Sequence, residues 1–176
     1  IVNTYLQINP IQKLTLRTQF GANAHFRRTD KFTPEFYIDA LEQSTLSNVS
    51  REMQEWLDWN WTNTATYITT FAEKHNINVM GGFTAERFAE FQSKASRDDV
   101  PNNMDQMQEV NAGTQNQKSE GKTAYSTLVS YLGRVMYNYD NRYYLTASIR
   151  ADGSSRFPKG NKYATVSYTH LRAHET

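Results

Sequence analysis

The chain has 176 residues, a formal net charge of +1 and no cysteine. This length suits one ordinary domain, and the lack of cysteine excludes disulfides, thiolate catalysis and zinc–thiolate sites. Lysine and arginine are dispersed, so the sequence lacks the basic patch of a nucleic-acid-binding protein. No apolar run approaches the roughly 18 residues of a membrane helix, whereas a membrane-spanning strand needs only about 10 residues of alternating pattern.

Alternating apolar and polar residues predict a first strand from Val2 to Ile8. Pro10 is expected to end it, because proline cannot donate a hydrogen bond to a sheet. The alternation resumes over residues 14–26, which is long for a globular strand, whose usual length is about 5–6 residues. A polar segment, residues 27–55, follows, and within it residues 38–41 are compatible with a helical turn.

Two more strands are predicted on either side of a short turn at residues 74–76. The strand before this turn carries four aromatic residues on one face: Trp59, Trp61, Tyr67 and Phe71. The strand after it covers residues 77–85. A long polar stretch, residues 90–123, comes next, and its composition over residues 106–122 is typical of a mobile loop.

The most regular pattern, residues 129–150, predicts a β-hairpin. Its odd-numbered residues form an apolar face, and its even-numbered residues form a face that includes Arg134 and Arg150. Residues 139–142 supply the turn, because Asp and Asn tolerate the left-handed backbone that a tight hairpin needs. A further strand starts at residues 162–165.

The predicted turns are short around Asn9, Lys74 and Asn141, with connections of roughly 30 residues between them. Short turns at one rim and long loops at the other are the plan of an outer-membrane barrel. The aromatic residues lie near the turns or about 25 Å away along a tilted strand, which matches two membrane girdles. The predicted girdle residues are Trp59, Trp61, Tyr67, Phe71, Tyr137, Tyr139 and Tyr143. The alternatives are aromatic pairs in a soluble sheet, or a cell-surface β-sandwich for binding or adhesion.

The hairpin resembles a known family. Residues 130–135, Ser-Tyr-Leu-Gly-Arg-Val, precede a Tyr-x-Tyr pattern and a short turn, and residues 150–157 read Arg-Ala-Asp-Gly-Ser-Ser-Arg-Phe. This combination is similar to the SusC/RagA-type TonB-dependent outer-membrane transporters of Bacteroidetes. Residues 70–82 and 14–21 resemble the family more weakly, and the resemblance covers about residues 1–165.

The resemblance implies an all-β, antiparallel up-and-down segment of six to seven strands within a barrel of about 22 strands. It implies outer-membrane lipid as surroundings, a SusD-like surface lipoprotein as partner, and contact with the TonB complex through an N-terminal region outside this chain. It also implies import of a nutrient, an oligosaccharide or sometimes a peptide, without a cofactor. Six strands cannot close such a barrel, so the chain alone is expected to be inactive.

The sequence from Val166 to Thr176 departs from the family pattern and resembles a translated sequencing adapter. We therefore expect residues 1–165 to be the barrel domain and residues 166–176 to be a non-native tail, with no function for His170 or His174. The first residue is isoleucine, from which we expect an internal fragment or a processed product.

Arg134 and Arg150 are the candidate lumen-facing residues, either for contact with substrate or plug or for pairing with neighbouring acids. Residues 152–155, Asp-Gly-Ser-Ser, have one carboxylate where a calcium site needs several, so a turn is expected there. His25 and His75 are isolated in the sequence, the latter in a predicted turn, and no metal site is expected.

Two acid pairs, Asp98 with Asp99 and Glu52 with Glu55, lie in predicted loops without the opposed carboxylates of a glycosidase. The protein is therefore not expected to be an enzyme. The polar segments 27–55 and 90–123 are the best candidates for substrate or partner contact, because extracellular loops carry specificity while the barrel carries stability.

Overall fold

A computed structural model describes residues 1–101, 108–158, 160 and 162–173. Within these ranges no helix has the length and apolar character needed to cross a membrane. Val110–Ala112 forms one turn of 3-10 helix. The strands are β1 Val2–Ile11, β2 Leu14–Thr33, β3 Phe36–Tyr37, β4 Gln43–Ser44, β5 Asn48–Phe71, β6 His75–Asp98, β7 Gln115–Tyr139, β8 Tyr143–Ser154 and β9 Tyr163–Ala173.

Seven of these strands form one sheet in the order β1-β2-β5-β6-β7-β8-β9, and β3 pairs with β4 separately. Each strand of the larger sheet pairs with the next long strand along the chain, which is an antiparallel up-and-down meander. The predicted all-β meander of six to seven strands is confirmed. A β-sandwich would instead divide its strands between two packed sheets.

The hairpin between β7 and β8 follows the sequence pattern closely. The two strands pair in an unbroken register that ends with Tyr139 opposite Tyr143. Asp140 and Asn141 have φ values of 50° and 55°, in the left-handed region that their short polar side chains tolerate. The odd-numbered residues of both strands therefore share one face, as predicted.

Backbone hydrogen bonds join one short turn to strand β5 and the other two short turns to each other. The amide of Ile68 donates to the carbonyl of Lys13 at 2.9 Å, and the amide of Asp140 donates to the carbonyl of Lys74 at 2.8 Å. These bonds align three turns along one rim of the sheet: residues 12–13, 72–74 and 140–142.

The connections at the other strand ends are shorter than predicted, because β2, β5, β6 and β7 run for 20 to 25 residues. A membrane crossing takes only about 9–11 residues. The polar segments 27–55 and 90–123 are largely strand, and residues 115–122 of the predicted loop lie in β7. Residues 106 and 107 lie outside the described ranges. Polar residues predominate on both faces of these extensions, so the regular alternation that marks a half-buried strand is absent there.

The prediction that Pro10 ends the first strand was wrong. β1 continues to Ile11, with a register shift against β2 between Ile8 and Ile11. Such a bulge accommodates proline within a strand, because the regular ladder of hydrogen bonds is interrupted there.

Three other local predictions need correction. Residues 38–41 form no helical turn, because the Asp39 carboxylate accepts hydrogen bonds from the amides of Leu41 and Glu42 at 2.7 and 2.8 Å, which competes with helix. His75 is the first residue of β6. β8 runs to Ser154, so most of the predicted turn at residues 152–155 is strand.

The chain divides into two compact units, each continuous in space but not in sequence. Unit 1 contains Ile1–Asn23, Asp58–Phe88 and Tyr125–Thr176, and unit 2 contains Ala24–Leu57 and Ala89–Ala124. Unit 1 holds the short turns, and unit 2 holds the two longest connections, residues 34–47 and 99–114. Among the described residues, the buried apolar ones are Val49, Ala89 and Val100, all in unit 2.

Candidate functional site

One face of unit 1 carries a row of aromatic rings. Trp59 stacks on Phe20 with ring centroids 6.3 Å apart, and Trp61 meets Phe83 edge to face at 6.2 Å. Strand alternation places Tyr67 on this same face of β5. The candidate girdle residues of β5 are therefore neighbours on one surface.

A second group of rings surrounds His75 beside the short turns. Phe71 stacks on the imidazole at 4.7 Å, and Tyr139 lies 5.0 Å from it. The His75 Nδ1 is 2.7 Å from the Tyr137 hydroxyl oxygen, and Tyr143 stacks near Tyr139 at 6.4 Å. The structure brings the other four girdle candidates together, and His75, isolated in the sequence, is at their centre.

The surface that bears these rings is uncovered. Val135 and Ile149, which alternation places on the same face, are 43% and 54% exposed, and Tyr143 is 58% exposed. Soluble monomers rarely leave a contiguous apolar surface of this kind in water. The outward surface of a membrane barrel has this composition, with apolar residues between aromatic ones.

The two arginine candidates lie on the opposite face of β7 and β8, in different surroundings. Arg150 Nε donates to both carboxylate oxygens of Asp152 at 2.7 and 3.0 Å, and its Nη2 donates to Ser130 Oγ at 3.3 Å. Arg134 Nη2 lies 4.0 Å from Met80 Sδ, a weak acceptor, and forms no ion pair with a described residue. Arg150 is thus paired with a neighbouring acid, while the charge of Arg134 has no such partner in the described ranges.

Asp30 is the centre of an ion-pair network in unit 2. Its carboxylate accepts from Arg51 Nε at 2.6 Å and from Arg28 Nε at 2.7 Å, and Arg51 also pairs with Glu109 at 3.0 Å. The hydrogen bond from Arg51, followed by that from Arg28, lowers the pKa of Asp30. The network ties β2 and β5 to the connection at residues 99–114.

Asp98, at the end of β6, joins three strands. One carboxylate oxygen accepts from Asn48 Nδ2 of β5 at 2.6 Å, and the other accepts from Asn116 Nδ2 of β7 at 2.8 Å. These two hydrogen bonds, with a smaller contribution from the charge of Lys118, lower the pKa of Asp98. Both carboxylate oxygens of Asp98 therefore already accept hydrogen bonds from side-chain amides.

Asp99 begins the connection that leaves β6. Its carboxylate accepts a hydrogen bond from the Thr114 hydroxyl and another from Gln115 Nε2 at 3.0 Å, and both lower the pKa of Asp99. In the second acid pair, Glu52 accepts a hydrogen bond from Gln92 Nε2 at 2.7 Å. Asp98, Asp99 and Glu52 thus have hydrogen-bond partners along the sheet.

The sequence did not predict the contact that holds the two connections together. Ser47 Oγ donates to the Val100 carbonyl at 3.2 Å and accepts from the Val100 amide at 2.8 Å, and the Asp99 amide donates to the Ser47 carbonyl at 2.8 Å. These residues are more than fifty positions apart, so no local pattern could have revealed them. These hydrogen bonds hold the end of one connection against the start of the other.

Histidines have aromatic partners in both units. His25 lies 5.2 Å from the Trp56 ring in unit 2, and His75 has the partners given above. Among the described residues, no group of three or more His, Cys, Asp and Glu side chains is arranged to hold a metal ion. His170 lies in β9 and stacks on Tyr168 at 6.4 Å, and His174 is outside the described ranges.

No family model matches the chain. A TonB-dependent receptor of Formosa agariphila is 27% identical over 158 residues, which are 87% of this chain and 14% of that protein. The TonB-dependent receptor SusC of Bacteroides thetaiotaomicron is 51% identical over 51 residues, 27% of this chain and 5% of SusC. The solved structure of the RagAB peptide importer in its open-open state has a TM-score of 0.84 and 27% identity, over 95% of this chain and 18% of the importer chain.

The match therefore extends along most of this chain but only a small part of each relative. The chain spans 14% of the Formosa receptor and 18% of the importer chain. The SusC match is short and much higher in identity than the others. The similarity to the Formosa receptor and to the importer chain extends over nearly the whole of this chain.

Proposed function

The chain belongs to the β-barrel of the SusC/RagA-type TonB-dependent receptors, and we propose that the protein it comes from imports a nutrient across a Gram-negative outer membrane. The chain contributes six whole neighbouring strands to that barrel: β1, β2, β5, β6, β7 and β8. Its role is to form part of the wall and, through unit 2, part of the surface that a solute meets.

The observation that supports this function best is the uncovered apolar face of unit 1. It lies on consecutive strands of a meander whose short turns share one rim, and its opposite face carries Arg134, Arg150 and Asp152. A lipid-embedded barrel with a polar lumen requires apolar residues on its outer surface and polar residues on its inner surface. The aromatic residues of this face are proposed to be girdle residues at the membrane interfaces.

The source of energy and the partners are inferred from the relatives. Two of them are described as TonB-dependent receptors, and the third as a RagAB peptide importer. We propose that import is driven by the TonB complex and assisted by a SusD-like surface lipoprotein. The proposed solute is an oligosaccharide, with a peptide as the alternative.

Unit 2 is the proposed region of contact with solute or lipoprotein. The connections at residues 34–47 and 99–114 are ordered at their bases by Ser47, Asp98 and Asp99. Ordered bases hold loop side chains in position before a ligand arrives, which lowers the entropic cost of binding. Arg134 is the proposed lumen contact, because its charge lacks a carboxylate partner among the described residues.

The test is growth of a deletion strain on a panel of glycans and peptides as sole carbon source. We expect the deletion to abolish growth on at least one member, the gene to restore it, and removal of TonB to abolish it again. Equal growth of deletion and parent strains on every member would contradict the proposed import.

We also propose that the residues from Val166 onward are foreign to this barrel. The register of β9 places Ser167 opposite Ile149 and Thr169 opposite Ala147, while Val166 is opposite Arg150. Polar residues thus fall on the apolar face and an apolar residue on the polar face. Sequencing the parent gene beyond Thr165 tests this: a continued apolar–polar phase is expected, and the same eleven codons would contradict it.

A further inference from the structure

Unit 2 contains a polar cleft that spans four adjacent strands. It encloses about 270 Å³ and is lined by Lys31 of β2, Asn48 and Ser50 of β5, Lys94 and Ser96 of β6, and Lys118 and Glu120 of β7. All its lining residues are polar or charged. Three ammonium groups and one carboxylate give it a positive charge at neutral pH.

Asp98, beside this cleft, already has partners, and Glu120 is the single carboxylate that lines the cleft with its three lysines. Asp98 lies beside the cleft and accepts from Asn48 and Asn116, and its pKa is lowered further by the charge of Lys118. Neither Lys31 nor Lys94 forms an ion pair with any residue in the described part of the chain. The cleft therefore presents cationic charge that its own walls do not neutralise.

The strand spacing sets the size of a ligand that could use all three ammonium groups. Neighbouring strands lie about 4.8 Å apart, so the three spacings from β2 to β7 separate Lys31 from Lys118 by roughly 14 Å at the backbone. A single small anion cannot reach both ends of such a row. An oligomer with anionic groups on successive units can.

The same face of unit 2 offers an aromatic pair along β5. Alternation places Trp56 on the side of Asn48 and Ser50, and its ring contacts His25 of β2, which alternation places with Lys31. Trp56 is about 20 Å along the strand from Ser50. An extended ligand could contact both the charged cleft and this ring pair.

We propose that this lysine cleft binds the carboxylate groups of an acidic oligomeric solute, as a recognition site of the importer. This inference rests on the proposed function and adds the charge class of the solute. A lysine ammonium is a point charge that attracts an anion without demanding one planar geometry. The shared chemistry is therefore a row of carboxylates, from either an acidic oligosaccharide or an acidic peptide.

The test measures binding to the full-length receptor in detergent by titration calorimetry. The probes are trigalacturonate, triglutamate and a neutral trisaccharide, with galacturonate monomer to examine length. At least one acidic trimer is expected to bind more tightly than both the neutral trimer and the monomer, and its affinity is expected to fall as salt rises.

Variants connect that binding to the cleft. Lys94→Gln and Lys118→Gln are each expected to lower the affinity for the acidic trimer about two- to fivefold, which is the effect expected for the loss of a partly exposed ion pair. Lys94→Arg keeps the charge and is expected to restore most of the affinity. Lys74→Gln, in a short turn of unit 1, removes the same charge elsewhere and is the matched control.

The proposal is overturned if no acidic trimer binds more tightly than the neutral one, or if Lys94→Gln and Lys74→Gln have equal effects. Uptake measurements distinguish failure of the acidic site from failure of the proposed import function. TonB-dependent uptake of a neutral nutrient that survives both cleft variants would leave import standing and the acidic site refuted. Acidic-trimer binding in a receptor whose deletion alters no uptake would support the site and refute import.

Discussion

The imidazole Nδ1 of His75 lies 2.7 Å from the hydroxyl oxygen of Tyr137, which joins the start of β6 to the end of β7. The two residues are 62 positions apart in the sequence. The imidazole also contacts the rings of Phe71 and Tyr139. This histidine is therefore a structural member of the aromatic group beside the short turns.

Tyr137→Phe removes the hydroxyl and keeps the ring, so its effect measures this hydrogen bond. We expect the full-length receptor to lose about 0.5–1.5 kcal/mol of unfolding free energy, the usual net value of one hydrogen bond. Urea unfolding in lipid vesicles measures it. Tyr143→Phe is the control, because its ring shares the same face. Equal costs for the two variants would show that the His75 contact contributes nothing.

Arginine substitutions test which face meets lipid. Val135→Arg and Ile149→Arg in the full-length receptor are each expected to cost about 2–4 kcal/mol, the range for arginine near the middle of a bilayer. Vesicle-based unfolding is the measurement.

The control for these substitutions lies on the other face of the same strands. Ser148→Arg is expected to cost much less, but Ser148 is opposite Arg134 and the new charge would repel it. Thr146→Arg, opposite Met136, avoids this repulsion and is the cleaner comparison. Similar costs on both faces would refute the lipid-facing assignment.

Gly113, near the end of the connection at residues 99–114, packs closely against the last residues of β6. A Cβ at this position would lie 2.5 Å from Arg97 Cβ and 2.8 Å from the carbonyl oxygen of Asp98. The backbone must move to accept it, so Gly113→Ala is expected to destabilise this region by about 1–3 kcal/mol. Faster amide hydrogen exchange over residues 97–101 and 110–116 is the expected result.

Gly81→Ala provides the comparison, because a Cβ at Gly81 has no atom within 4 Å among its described neighbours. We expect a change below about 0.5 kcal/mol. Unchanged exchange in Gly113→Ala would mean that the loop base has more room than the structure gives it.

Acid is expected to loosen unit 2 at the ends of β6 and β7. The pKa values of Asp98 and Asp99 lie below their ordinary value of 3.8, because amide and hydroxyl donors stabilise the ionised carboxylates. This stabilisation is fully present above the unfolded pKa and is lost as pH falls through the folded values. Loop exchange, corrected for intrinsic rates, should therefore be constant from neutral pH to about 5 and increase below 4.

Asp99→Asn imitates protonation at neutral pH and should increase exchange at Thr114 and Gln115 without acid. Loosening between pH 7 and 5 would contradict this explanation, since neither carboxylate gains a proton there.

The hairpin of β7 and β8 was predictable because all its signals are local. Asp140 and Asn141 are residues that tolerate positive φ, and the alternation around them defines both faces. The Arg-x-Asp-Gly-Ser-Ser-Arg-Phe sequence was by itself enough to indicate the resemblance to the family. The overall meander followed from the regular alternation of short and long connections.

The polar halves of the long strands were not predictable from alternation. Where a strand has water on both sides, polar residues occupy both faces and resemble a loop. Their pairing depends on contacts such as Ser47 with Val100 and Asp30 with Arg51, which join distant parts of the chain. The lysine cleft has the same origin, because Lys31, Lys94 and Lys118 come together only when β2, β5, β6 and β7 pair.

The central claim is that the odd-numbered face of the β7–β8 hairpin lies against lipid in an outer-membrane barrel. Its most direct test is quenching of a fluorophore by nitroxide-labelled lipids in reconstituted full-length receptor. The fluorophore is attached to a single cysteine at Val135 or, in a second variant, at Arg134. Strong quenching at position 135 and weak quenching at position 134 is the predicted result. Equal quenching at the two positions, or the reverse order, would contradict the account.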